Sequence, residues 1–504
     1  MTTQSLATWT SNLTYTSLPP SVIQSAIRSF YNWTGCTVGG SAHPATTIAH
    51  DSLCAFFGGP TSTLLGSRVR QGPGPSPDCT AGGSETGKTD AQHAALLNGI
   101  SSHVHDYDDT HLETIIHPTG PVAAAVLAVA ESEAQKRPIS GQDLITALVA
   151  GIEVECKCGL GVWPSHYDLG WYLFPSYPLF PLFPAQHVLT ERKRHITSTT
   201  GSIGASAAVS NLLGLTVDQT THALGLAATQ VTGLREMFGS HAKSFHPGRA
   251  AQNGVLAAVL ARNGYTSSAG ALEAKRGWVN VVTSSQDGND RLAGMVSTLG
   301  EGPWEIEKNA FKPFPCGIVV HPVLDGCVRL HDRGRCADIE RIDTVELRVH
   351  PLVLELTGKT APRDGLEAKF SVYHGAAVGL LLGKATPAQY EDGVVGDETL
   401  VRLRGKVRAV ADEACRADEC WVSVRMASGG RDGDGDRDGD GDLVEVHVEH
   451  AVGSVHAPMS DAQLTEKFMD QCVPVLGADA ALRASDWCWH LDTVADVREI
   501  AHLF

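Results

Sequence analysis

The chain has 504 residues, of which 42% are hydrophobic and 19% charged. That is too long for one small core and fits two or three folded units, neither disordered nor fibrous. No window holds the roughly eighteen uninterrupted apolar residues of a membrane span, and a formal net charge of −17 opposes a polyanionic nucleic-acid partner.

The first twelve residues lack both the basic and apolar regions of a signal peptide and the Arg-rich amphipathic pattern of a transit peptide. The protein is therefore expected to be cytoplasmic, with a mitochondrial location left open. Twelve cysteines are too dilute for a disulfide scaffold. The closest pairs, Cys156/Cys158 and Cys415/Cys420, lack paired CxxC spacing, so reduced thiols are expected.

In chain order, the first half predicts helix after helix, with small apolar residues at helical spacing behind polar caps. Ser140 and Asp143 open a run through Leu144, Ala147, Leu148, Gly151 and Ile152. Thr216 and Gln219 form a capping-box pattern, and residues 250–261 form a helix closed by Asn263 and Gly264. From about 308, alternating stretches at 344–350, 421–426 and 443–448 predict strands. After Pro458 the pattern is helical again. The expected architecture is mainly α: a helical domain of residues 1–307 that residues 454–504 rejoin, and a smaller α+β lid domain of residues 308–453.

Three segments read as insertions: 67–87, 172–194 and 429–442. The first is rich in Gly, Pro and Ser, as a surface loop is. The third contains Asp434, Asp436, Asp438, Gly439 and Glu445 in the EF-hand ligand pattern. A repeating Asp-Gly tract generates that pattern by chance, and strands flank it, so a solvated hairpin loop is expected instead of a calcium site.

The densest polar constellation is His103, His105, Asp106, Asp108, Asp109, Thr110 and His111, with Glu113 and His117 close behind. Packing does not call for so many ionisable groups between two apolar helices. They suit either a metal-ligand set or a metal-free set that moves protons, and single members could merely cap helices. A second cluster, His241, Lys243, His246 and Arg249, is expected between helices, opening one near Gly248 and forming an anion site. A third, Lys312 among Phe311, Pro313, Phe314 and Pro315 with His321 beyond, holds a partly desolvated cation suited to a carboxylate. In so acidic a chain, these basic groups suggest a local pocket for a small polyanion.

The stretches at 94–103, 106–110, 195–201, 243–254 and 311–317 together make the chain resemble the MmgE/PrpD family, which includes 2-methylcitrate dehydratase and cis-aconitate decarboxylase. The likeness runs from about residue 5 to the C-terminus. It implies a homodimeric lyase with a cleft that takes a tricarboxylate and needs neither metal nor organic cofactor. Carried over by position, its pocket residues are Asp106, Thr110, His117, His195, Lys243, Lys312 and Tyr373.

For a citrate-type substrate these types suggest roles. His117 and His195 share the proton transfers, Asp106 orients or charges an imidazole, and Lys243 and Lys312 stabilise negative charge. Thr110 and Tyr373 bond substrate oxygens, with His246 and His321 as further substrate-binding residues. Dehydration of 2-methylcitrate or a longer 2-alkylcitrate is the leading expectation. Decarboxylation of cis-aconitate to itaconate uses much the same set. A metal hydrolase and an inactive homologue or binding protein are the competing classes. The sharpest departure from the family is the stretch at 172–194, which reads as a translated intron directly ahead of His195.

Overall fold

The computed structural model describes residues 1–67, 87–165, 195–231, 233–334, 338–427 and 442–504. The expected insertions at 67–87, 172–194 and 429–442 therefore fall almost wholly outside the described residues. Short strands at Ser62–Thr63 and Lys88–Thr89 pair antiparallel on either side of the first. Glu445, the last position of the EF-hand-like pattern, accepts a hydrogen bond from Ser423.

The fold is mainly α, as expected. Its principal helices are α1 (Pro20–Gly40), α2 (Ala91–His103), α3 (Thr119–Ala134), α4 (Gly141–Val162), α5 (Ile196–Leu212), α6 (His241–Arg262), α7 (His321–Asp332), α8 (Val372–Leu382) and α9 (Asp461–Leu476). Side chains satisfy the orphan N–H groups where the sequence indicates. Asp90 caps α2, and Ser140 with Asp143 forms the capping box of α4. Thr216 with Gln219 forms another, ahead of the helix Val217–Ala228.

Alanine and glycine faces let these helices pack closely. A Cβ on Gly248 would lie 2.4 Å from the Leu96 carbonyl oxygen, and one on Gly99 would lie 2.5 Å from the Gly248 Cα. Only glycine permits this crossing of α2 and α6. The contact has chemical consequences, because α2 ends at His103 and α6 carries Lys243.

Helix α6 corrects one expectation. It starts at His241 and not near Gly248, so the basic cluster forms its first turns instead of a preceding loop. Pro247 lies inside it, and its missing N–H leaves the Lys243 carbonyl without a helical donor.

Two strands link the halves of the chain. Strand β1 (Asp109–His111) pairs antiparallel with β2 (Asn309–Phe311), setting Asp109 opposite Phe311. A four-stranded sheet follows, of β3 (Ile342–Val349), β4 (Val407–Ala411), β5 (Cys420–Met426) and β6 (Leu443–Val448), in the order β4-β3-β5-β6. Strand β3 runs parallel to β4 and antiparallel to β5, and β5 is antiparallel to β6. Along β3, Val345, Leu347 and Val349 are buried while Glu346 and Arg348 are exposed, the alternation of a sheet with one covered face.

There are two main cores. The first gathers α1 to α5 and also takes Phe468, Cys472, Leu491 and Phe504 from the last part of the chain. Tyr31 stacks on Trp489 at 4.2 Å between ring centroids. The second core holds Val320, Leu324, Val345, Leu347, Val378 and Val422. Phe311 belongs to the first core and Cys316 to the second, so the chain crosses between them beside Lys312. Among the described residues nine cysteines are buried free thiols; Cys54 is disulfide-bonded, a departure from the expected reduced state. No described helix is long and apolar enough to cross a membrane.

Gly248→Ala is expected to force α2 and α6 apart and to lower stability by about 1–3 kcal/mol. Urea unfolding of wild type and variant measures the loss.

Candidate active site

A narrow cleft lies between the two cores, with room for only a few waters: about 40 Å³. One wall is Asp106, His117, His195, Phe238 and Lys243; the other is Lys312, Gly317, Ile318, Thr357 and Phe370. Asp106 follows the end of α2 with φ at +52°, a left-handed conformation that Asp tolerates better than most residues. That turn points its carboxylate between two chain-distant ammonium groups. Lys243 Nζ lies 2.5 Å from Oδ1 and Lys312 Nζ 3.1 Å from Oδ2. Lys312 also donates to the Asp106 carbonyl oxygen at 3.1 Å. Burial alone favours the neutral acid, but Lys243 and Lys312 outweigh it and hold Asp106 well below the ordinary carboxylate range.

Lys243 extends the network to a second acid. Its Nζ donates to His103 Nε2 at 2.7 Å, and His103 Nδ1 donates to Asp108 Oδ2 at 2.7 Å. This polarity requires a neutral imidazole, and burial lowers the His103 pKa accordingly. Lys243 itself is nearly enclosed, with Phe238 and Phe370 rings each 5.4 Å from its Nζ.

His117 is held from behind. Its Nδ1 lies 2.8 Å from the Asp109 carbonyl oxygen, which can only accept, so Nδ1 carries the proton and Nε2 keeps its lone pair. Its backbone N–H donates to Thr197 on α5 at 3.0 Å. Burial pushes the His117 pKa down to about 3, with Lys312 adding to the effect. His195, the N-cap residue of α5, stacks parallel to His117 with centroids 6.5 Å apart. Burial, then His246, holds it well below the usual imidazole value.

The structure thus brings Asp106, His117, His195, Lys243 and Lys312 to one cleft, and separates four others from it. Thr110, in β1, is fully buried and bonds His117 Nδ1 at 3.3 Å instead of facing the cleft. His246 packs behind His195 at 4.8 Å between centroids. His321 starts α7 and turns back against Phe314 and the Cys316 carbonyl, behind Lys312. Tyr373 packs on the second core: α8 begins at Val372 and rotates it away, leaving Phe370 at the cleft. Residues that the sequence reading left out are His103 and Asp108, both inside its polar constellation, and Phe238 and Lys369. Lys467 is also essential to the geometry. From α9 it donates to Asn32 Oδ1, the Tyr107 carbonyl and the Lys312 carbonyl at 2.7, 2.6 and 2.7 Å.

Two groups among the described residues could hold a metal ion: His103, Asp108 and His117, and His111, Glu113 and Glu305. In the first, His103 and Asp108 bond each other directly, and the neighbouring Lys243 and Lys312 ammoniums repel a cation. In the second, Glu305 already meets Lys157, Lys308 and His111. Both suit hydrogen bonding better than coordination.

A mainly helical chain with two cores and a buried lysine, carboxylate and imidazole cleft between them defines the class. The MmgE/PrpD N-terminal domain matches residues 4–174 and 185–290, and the C-terminal domain matches 314–491. The chain belongs to the MmgE/PrpD family. The unmatched residues 175–184 fall within the expected insertion. A cis-aconitate decarboxylase-like protein of Aspergillus oryzae is 24% identical over 99% of this chain and 96% of its own length. A cis-aconitate decarboxylase of Aspergillus terreus is 23% identical over 99% and 95%. A 2-methylcitrate dehydratase of Salmonella typhimurium is 28% identical over 43% of this chain and 45% of its own.

Nitrogen NMR of histidine-labelled protein should show His117 neutral and protonated on Nδ1 at pH 5, because its depressed pKa puts charging well below the ordinary value of about 6.5. A His117 signal that charges between pH 6 and 7 would contradict the assignment.

Proposed function

We propose that this chain is a lyase acting on a citrate-type tricarboxylate, and that its reaction is dehydration of 2-methylcitrate or a longer 2-alkylcitrate. The observation that carries this reading is His117: a neutral imidazole, its Nδ1 proton directed at the Asp109 carbonyl and its Nε2 without a hydrogen-bond partner among the described residues, on the cleft wall with two lysines. Removing a proton alpha to a carboxylate needs such a base. The aci-carboxylate that develops needs nearby cations.

In the proposed sequence, Lys243 and Lys312 hold the carboxylate next to the acidic C–H, and His117 Nε2 takes the proton. The proton taken by His117 passes through neutral His195, on the same cleft wall, which accepts it at one ring nitrogen and releases one from the other to the departing hydroxyl, so that water leaves, the alkene forms and both imidazoles return to neutral. Asp106 keeps both ammoniums charged and aimed. The closed cleft is too small for such a substrate, so the two cores part to admit it. None of these steps calls for a metal or an organic cofactor. We further propose that the protein works as a homodimer.

Decarboxylation of cis-aconitate is the second reading, favoured by the two relatives that match nearly end to end and carry decarboxylase names. Loss of CO2 leaves a carbanion that the same lysines stabilise and an imidazole protonates. Incubation with 2-methylcitrate, citrate and cis-aconitate, followed by mass analysis, separates the readings by loss of water or of carbon dioxide. No turnover and no thermal stabilisation by any of the three would leave the inactive-homologue reading standing.

Lys243→Ala should lower kcat/KM by about 10²–10³-fold, the scale seen when one stabilising group is removed from a developing anion. His195→Ala should reduce kcat by about 10²–10⁴-fold with substrate binding largely kept. Steady-state kinetics on both variants check these values, and wild-type rates would refute the roles.

A further inference from the structure

The cleft has a side chamber. Beyond Asp106, Lys243 and Phe370, which line both spaces, a smaller void of about 10 Å³ is bounded by His103, Ser240 and Lys369. Lys369 is only 3% exposed. Its backbone is fixed from two sides: the Gly317 N–H donates to its carbonyl at 2.9 Å, and Ser371 caps α8 two residues on. The side chain passes over the Tyr390 ring, with Nζ 5.0 Å from the centroid.

What distinguishes Lys369 is its lack of a direct ion pair: Asp106, the carboxylate that favours its charged form, is already bonded by two other lysines. Lys243 and Lys312 share Asp106. Lys157 and Lys308 share Glu305, and Lys467 spends its three donors on three oxygens. Lys369 bonds no carboxylate or other acceptor among the described residues. A buried ammonium that bonds only an aromatic face, with Lys243 and Lys312 opposing what Asp106 offers it, is costly unless a further anion arrives. Burial draws its pKa down to about 8, which still leaves it mostly protonated at neutral pH.

We propose that Lys369 is a substrate-binding residue, holding in the side chamber a carboxylate of the tricarboxylate other than the one held by Lys243 and Lys312. The proposal rests on the tricarboxylate reading above and adds the group that counts carboxylates. A two-carboxylate acid satisfied at Lys243 and Lys312 gains nothing from Lys369, whereas a three-carboxylate acid gives Lys369 a carboxylate to bond directly. Substrate charge is thereby sorted at a position separate from the proton-transferring imidazoles.

The test measures binding of propane-1,2,3-tricarboxylate and of glutarate to wild-type protein and to Lys369→Met by titration calorimetry. The variant is expected to bind the tricarboxylate at least about tenfold more weakly, the cost of losing one charge-assisted contact. Its glutarate affinity should stay within about twofold, and Lys369→Arg should keep the preference for three carboxylates. Should the Met variant fail to fold, Lys369→Gln carries the same expectation. Unchanged tricarboxylate affinity, or an equal loss for both acids, overturns the role of Lys369 while leaving the lyase reading intact. Wild-type protein that binds neither acid overturns the tricarboxylate reading, and this inference with it.

Discussion

The carboxylate of Asp106, shared by Lys243 and Lys312, is the contact on which the rest of the site depends. Two lysines that far apart in sequence would repel each other in a dry cleft without an anion between them. Three separate devices bring the groups within reach: the glycine crossing of α2 and α6 for Lys243, the β1–β2 ribbon for Lys312, and the left-handed turn for Asp106 itself. Each is built from backbone and survives only with particular residues at particular points.

A gradient of charge follows from that contact. On one side lie neutral imidazoles, His103, His117 and His195, each kept uncharged by burial and by the lysines nearby. On the other lie groups that stay ionised because they are paired. Proton acceptors and fixed charges thus sit side by side without neutralising each other, which acid–base chemistry on an anionic substrate requires.

Much of this was legible in the residues. Caps at Ser140 and Thr216, the alternation along β3 and β5, and the return of helix after Pro458 all follow from local chemistry and came out as read. The polar constellation at 103–117 marked the site because burial of so many ionisable groups needs a purpose. What escaped was orientation. Tyr373 and His321 carry the right chemistry, yet the phase of α8 and the first turn of α7 send them elsewhere. Lys369 stood four residues before Tyr373 and passed unnoticed, because a lysine in sequence is by default a solvated one; only the packing of Tyr390 and Phe370 around it shows otherwise. The reach of Lys467 to residues 107 and 312 is likewise invisible to spacing, since it spans most of the chain.

That reach has a consequence for how the enzyme comes into being. Lys467 clasps the backbone on both sides of the cleft, at Tyr107 and Lys312, from a helix made late in synthesis. The first core is completed only when α9 brings in Phe468 and Cys472, and the same docking clasps the acid-binding groove through Lys467. Completing the core and readying the groove are therefore a single event.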